Sequence, residues 1–229
     1  MITLAALPAS ISAADLFDSG ALVVVLAGTL LATVARCGRG ELRAAAKALP
    51  ALVRARIDRD ANQAALARNA GAIAARGHLC AESPPPPDPT LARLVDIYLV
   101  SGSLEAVRVQ ARADRAGREI ARAQAVRVFE FAGELAPVFG LVGTLFAITQ
   151  LVPVAGASTA EVTMAAVATA VLSSLYGVLT AHLVCVPLAR AVERRGEDEE
   201  ETRCVLIDRF EAMLETGPAR PAPGRRDAA

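Results

Sequence analysis

The chain has 229 residues, of which 54% are hydrophobic and only 3% aromatic, with no Trp; its mean hydropathy is +0.41. Its 24 basic and 24 acidic side chains cancel, which excludes the clustered basic excess of a nucleic-acid-binding protein. The charge is segregated: residues 1–35 and 128–189 hold no Lys or Arg, so oily blocks alternate with charged ones. Cys37, Cys80, Cys185 and Cys204 form no C-x-x-C pair, which points to reduced thiols rather than a zinc site or a disulfide framework. The absence of a G-x-S-x-G elbow, a Walker loop and an H-E-x-x-H motif argues against an enzyme.

Taken in chain order, residues 1–14 lack the positive n-region of a signal peptide and contain Pro8, so residues 1–18 read as a short periplasmic or interfacial N-terminus. The uncharged run 19–35 is the first transmembrane helix, since about 20 mostly apolar residues cross the hydrocarbon layer. Asp15 and Asp18 precede it, and Arg36, Arg39, Arg43 and Lys47 follow. The positive-inside rule therefore puts residue 36 in the cytoplasm.

Residues 36–134 carry 16 basic and 11 acidic side chains, a net of +5, and form a cytoplasmic helical domain. Within it, the spacing of Leu42, Leu49, Leu52, Val53 and Ile57 predicts an amphipathic helix pair over 41–75. Pro84–Pro87, Asp88 and Pro89 mark an extended hinge over 84–89. Helix resumes at Thr90, capped by its hydroxyl. A break at Ser101, Gly102 and Ser103 starts another helix, with Glu105 in its first turn. From Leu104 one long helix runs from the cytoplasm into the membrane, and its Arg108, Arg112, Arg115, Arg118 and Arg122 read as a solvated charged face.

The second transmembrane helix covers 135–153, a periplasmic turn 154–161, and the third transmembrane helix 162–189, which ends inside at Arg190, Arg194 and Arg195. A cytoplasmic helix follows over 190–217, stopped by Gly217, and 218–229 is a disordered tail. The fold class is an all-α membrane protein with three transmembrane helices and a helical cytoplasmic domain between the first and second.

The second span presents Gly140, Gly143, Thr144 and Ala147 within an arc of about 100°, and the third presents Thr169, Ser173, Tyr176, Gly177 and Thr180 within a similar arc. Small, hydroxyl-bearing faces of this kind pack on one another inside a subunit or line a polar interior between subunits; both readings stay open. No Asp, Glu, Lys or Arg lies inside either span. His182 is the one group there whose ordinary titration lies near neutral pH, a packed side chain or a proton relay. Glu130 and Glu134 lie at the cytoplasmic mouth and Glu161 at the outer turn. Intramembrane ionisable groups usually carry ions, so a conducting version of this chain must take its carboxylate from another polypeptide.

The string Ala136-Pro137-Val138-Phe139-Gly140-Leu141-Val142-Gly143-Thr144-Leu145 resembles the proline and G-x-x-G-T stretch that opens the penultimate span in the MotA/TolQ/ExbB ion-channel family. Ala170-Val171-Leu172-Ser173-Ser174-Leu175-Tyr176-Gly177, with Pro187 before the basic stop, is similar to the hydroxyl pair, Leu-Tyr-Gly and terminal proline of sodium-type flagellar stators. Val25-Leu26-Ala27-Gly28-Thr29-Leu30 resembles a string in the second of four spans in the MotA branch, whose first span is here reduced to residues 1–14.

The resemblance implies a homo-oligomer, a pentamer, around a dimer of a single-span MotB-, TolR- or ExbD-like partner that supplies the ion-binding Asp. Thr144 with Ser173 or Ser174, helped by Thr169 and Tyr176, lines the ion route; Pro137, Gly140, Gly143, Gly177 and Pro187 pack and kink the helices. It implies no cofactor and no metal, only transported protons or sodium ions, and membrane lipid as surroundings. The stator pattern R-x-x-G-x-x-x-x-E, aligned on Gly77, puts Glu82 on the acidic rotor-contact position and Ala74 on the basic one, with Arg76 the nearest substitute. A non-conducting oligomeric scaffold of the same fold and a single-chain transporter are the competing classes.

Overall fold

A computed structural model describes residues 18–81, 83–149 and 159–216. The described residues are helical, in the order α1 (Ser19–Arg36), α2 (Arg39–Val53), α3 (Arg59–Arg76), α4 (Pro89–Ser101), α5 (Leu104–Thr149), α6 (Thr159–Leu179), a π-helical turn (Thr180–Cys185) and α7 (Val186–Glu215). No strand occurs among them. The chain divides into a first unit, residues 1–50 and 123–193, and a second, residues 51–122 and 194–229. Among the described residues, three helical stretches are long and apolar enough to cross a membrane: Ser19–Arg36, part of Leu104–Thr149 and part of Val162–Glu215.

Helix ends follow local chemistry. Asp18 caps α1 by accepting from the Gly20 and Ala21 amides at 2.9 and 3.1 Å, and Asp58 caps α3 through the Ala61 amide at 3.0 Å. The cap of α4 differs from expectation. Asp88, not Thr90, accepts from the Thr90 and Leu91 amides, and Pro89 occupies the first helical position. A carboxylate accepts where an amide must donate, and proline's fixed φ suits the first turn, so the helix starts one residue before Thr90. The α4 helix ends at Gly102 with φ +62°, a left-handed cap that a side chain disfavours.

In the first unit, α1 turns Ala21, Val25, Thr29 and Thr33, four residues apart, inward. Large apolar side chains such as Leu30, Leu31, Leu141, Leu145 and Leu183 are exposed. Such a surface is a liability in water and the ordinary condition of a lipid-facing helix.

The second unit has a conventional core of Leu66, Ala70, Ile73, Leu91, Val95, Leu206 and Phe210. Tyr98 meets Phe210 edge to face, with ring centroids 6.4 Å apart. The proline segment is anchored rather than free: Asn69 Nδ2 donates to the Pro84 carbonyl at 3.1 Å, Asn62 Oδ1 accepts from the Asp88 amide at 2.9 Å, and Arg203 donates to Asp88 Oδ2 through Nε and Nη2, both at 3.2 Å.

Candidate ion-pathway site

In lipid, helix association depends on close van der Waals contact and interhelical hydrogen bonds, because the solvent is as apolar as the side chains. The first unit is built on that rule. A Cβ added to Gly177 would lie 2.6 Å from the Ala136 carbonyl oxygen and 3.1 Å from the Cα atoms of Gly140 and Pro137. One on Gly143 would lie 2.8 Å from Ser173 Cβ. The backbones of α5 and α6 therefore touch at Gly140 and Gly177, in antiparallel register. The ring of Phe139 lies over Gly28, which brings α1 against α5.

The hydroxyls sort into two groups. Ser173 is 0% exposed, and its Oγ donates to the carbonyls of Gly140 and Ala170, 3.0 Å from each. It faces α5 inside the subunit and not an open surface. Thr144 is half-buried among exposed Leu141 and Leu145, with its Oγ1 donating to the Leu141 carbonyl at 2.6 Å. Ser174 is also half-buried. The small face of the third span is thus shared between internal packing, at Ser173 and Gly177, and a partly open surface.

Thr169 and Tyr176 converge on the start of α1. Thr169 hydrogen-bonds the Asp18 carboxylate, and the Tyr176 hydroxyl accepts from the Asp18 amide at 2.9 Å. The Ala21 amide, with help from Thr169 and the Gly20 amide, holds the Asp18 carboxyl below the usual carboxylate range against a smaller upward push from burial. A cavity of about 530 Å³ adjoins this cluster; its lining includes Asp18, Thr169 and Gly143. The sequence reading treated Asp18 only as a flanking charge. Its partners on α6 lie over 150 residues away, so no local signal reveals them.

Pro137 sits inside α5 without ending it. Pro187 follows the π turn, where the Val186 amide bonds the Ala181 carbonyl, five residues back. A proline ring clashes with the carbonyl four residues before it, and a widened turn relieves that clash. His182 lies in the π turn and is exposed. At the other end of α1, Arg36 stacks over Phe131 with its guanidinium carbon 4.0 Å from the ring centroid and pairs with Glu134 at 3.5 Å.

The second unit corrects the reading of the arginine stripe. Arg118 grips Glu200 with two bonds of 2.8 and 2.9 Å. Arg108 bonds Glu211 at 2.8 Å and Glu215 at 2.6 Å, while Arg115 reaches Cys204 Sγ at 3.6 Å. These three positions rise along α5 as they fall along α7, an antiparallel ladder, while Arg112 is exposed, as a solvated face requires. Burial pushes the Glu200 carboxyl up, but hydrogen bonds and charge from Arg118, with charge from Arg203 and Arg115, outweigh it and leave the group below its ordinary value. Arg76 is exposed in the last turn of α3, and Ala74 is exposed too. Glu82 lies outside the described residues, as do residues 1–17 and the tail over 218–229; of the turn expected over 154–161, residues 154–158 lie outside them and 159–161 already belong to α6. Among the described residues no cluster of His, Cys, Asp or Glu has the makings of a metal site.

Residues 95–204 match the model of the MotA/TolQ/ExbB proton channel family. The chain is 29% identical over 121 residues to the uncharacterized protein YtxD of Bacillus subtilis and 25% identical over 114 residues to the chemotaxis protein PomA of Vibrio alginolyticus. Those stretches span 53% and 50% of this chain and 44% of each relative, so the chain matches less than half the length of either. Among solved structures, MotAB of C. jejuni superposes with a TM-score of 0.75 at 16% identity, over 88% of this chain and 80% of that one. The flagellar MotAB stator complex of Bacillus subtilis superposes with a TM-score of 0.74 at 20% identity, over 90% and 82%.

Proposed function

The chain carries a MotA/TolQ/ExbB-type domain on a MotA-like all-helical membrane fold, and from that premise we propose that it is a stator-type subunit of an ion-driven rotary channel in the bacterial inner membrane. It assembles as a pentamer around two single-span helices of a MotB-like partner. The partner's Asp binds a proton or sodium ion, and neutralising that Asp biases rotation of the ring.

The observation that carries this reading is the division of hydroxyls on the α5–α6 pair. Gly140, Gly143, Gly177 and Ser173 hold the two helices at backbone contact, which leaves Thr144 and Ser174 half-buried at the partly open surface. A threonine hydroxyl whose proton is committed to its own helix, as Thr144's is to the Leu141 carbonyl, retains lone pairs that accept from a hydrated cation. Ser174 therefore joins Thr144 as the pathway pair, and Ser173 acts as the packing hydroxyl. Arg76 and Glu82 are proposed as the cytoplasmic contact to a rotor or partner.

Co-expression with a MotB-like partner is expected to yield a five-to-two complex. Flux of protons or sodium in vesicles is expected to collapse on Thr144→Val and on loss of the partner's Asp, while Ser173→Ala retains it. Undiminished flux in both of the first two cases overturns the mechanism. Ala74 at the basic rotor-contact position favours the second reading, a non-conducting scaffold of the same fold; a complex that assembles with its partner and passes no ions establishes it.

A further inference from the structure

The cavity beside Asp18 is larger than helix packing requires. At about 530 Å³ it falls in the range of roughly 300–1,000 Å³ typical of small-molecule sites. Its wall is apolar, with Val24 from α1, Phe146 and Ala147 from α5 and Ala166 from α6; among the described residues, polar side chains enter as Asp18 and Thr169. The Asp18 carboxylate accepts from the Gly20 and Ala21 amides and from Thr169. A carboxylate has about four acceptor positions, so it retains capacity for another donor. Among the described residues no Lys or Arg pairs with it: none of 19–35, 128–149 and 159–189 contains one, and Arg36 lies at the far end of α1, about 27 Å along the axis at 1.5 Å per residue.

A hard inorganic cation takes about six to eight oxygens, and two side chains against a hydrocarbon wall fall short of that. What fits is a cationic head with N–H donors joined to an apolar body. A membrane-spanning unit is surrounded by molecules of that description. We propose that this cavity binds an amine-headed phospholipid, with its ammonium group on the Asp18 carboxylate and an acyl chain against Val24, Phe146 and Ala166. The proposal does not depend on ion conduction.

Native mass spectrometry of the delipidated full-length protein, offered equal amounts of phosphatidylethanolamine, phosphatidylglycerol and phosphatidylcholine, tests it. Phosphatidylethanolamine adducts are expected to exceed phosphatidylglycerol adducts roughly 1.5- to five-fold, the ratio one partly exposed ion pair supports, and to exceed phosphatidylcholine, whose quaternary head has no N–H. Asp18→Asn preserves a good helix cap and is expected to bring the ratios to about one; Ala166→Phe is expected to abolish adducts of all three. A circular-dichroism melt within a few degrees of wild type shows each variant folded, and Asp18→Ser replaces Asn if that variant fails. Equal adducts in the wild type, a ratio unchanged in the uncharged variant, or binding of dodecylammonium without any binding of phosphatidylethanolamine would each overturn the proposal.

Discussion

The two units of this chain solve the same problem, holding α-helices together, with opposite materials. The first, between residues 123 and 193, brings α5 and α6 together by removing side chains: Gly140 and Gly177 let the backbones meet, and Ser173 supplies one interhelical hydrogen bond. The second adds side chains, with a Leu, Val, Ile and Phe core and the Arg–Glu ladder between α5 and α7. The contrast follows from the surroundings. Burial of apolar area stabilises helices in water, and in lipid that drive is absent, so proximity and hydrogen bonds replace it.

Substitutions that suit one material are expected to damage the other. Phe210 is almost fully buried beside Tyr98, and Phe210→Ala is expected to cost the second unit about 3–5 kcal/mol, read as a lower denaturation midpoint by a probe in that unit. A smaller loss in the first unit comes from adding atoms. Gly177→Ala is expected to cost about 1–3 kcal/mol from overpacking, although alanine is the better helix former, and a thermal melt in detergent shows the inversion of the usual ranking.

Arg118→Met is expected to cost roughly 1–3 kcal/mol by leaving the mostly buried Glu200 without its partner. The double variant with Glu200→Met is expected to recover most of that loss; failure to recover means the ladder is not the unit's fastening. Smaller still is Ser173→Ala, at about 0.6–1.7 kcal/mol for one hydrogen bond between membrane helices.

Acid sharpens the same comparison. The Glu200 carboxyl lies below its unfolded value, so its contribution is present above the unfolded value and is lost as pH falls through the folded one. The second unit is therefore expected to weaken below the carboxylate range while the α5–α6 contact in the first holds. Parallel melts of both units across that range check this.

How much of this the sequence discloses depends on the range of the interaction. Hydropathy is a local sum, so the uncharged runs locate the apolar helices, and the Ser101–Ser103 break locates the start of α5. The small face containing Gly140, Gly143 and Gly177 is visible as a periodicity, but spacing does not say whether Ser173 or Ser174 points at the neighbouring helix, because they differ by about 100° and either orientation keeps the pattern. The arginines of α5 are visible and their partners are not. Glu200 and Glu211 lie 82 and 103 residues away from Arg118 and Arg108, and only antiparallel pairing brings them opposite. The α4 cap illustrates a closer miss: Asp88 and Thr90 are both capable caps, and Pro89 between them fits the first turn, which favours the earlier residue.

The π turn at Thr180–Cys185 has a bearing on how this chain tolerates change of length. A π turn holds one residue more than an α turn would, so each side chain beyond it is offset by about 100° from the wheel drawn through α6. Removing a single residue between 180 and 185 would tighten the turn into ordinary α-helix and, because the offset equals the one residue lost, leave the side chains that follow aimed as before. The same deletion four residues earlier would pull Gly177 off Gly140. This stretch is where a lineage can lose one codon and still keep the facing of its last helix.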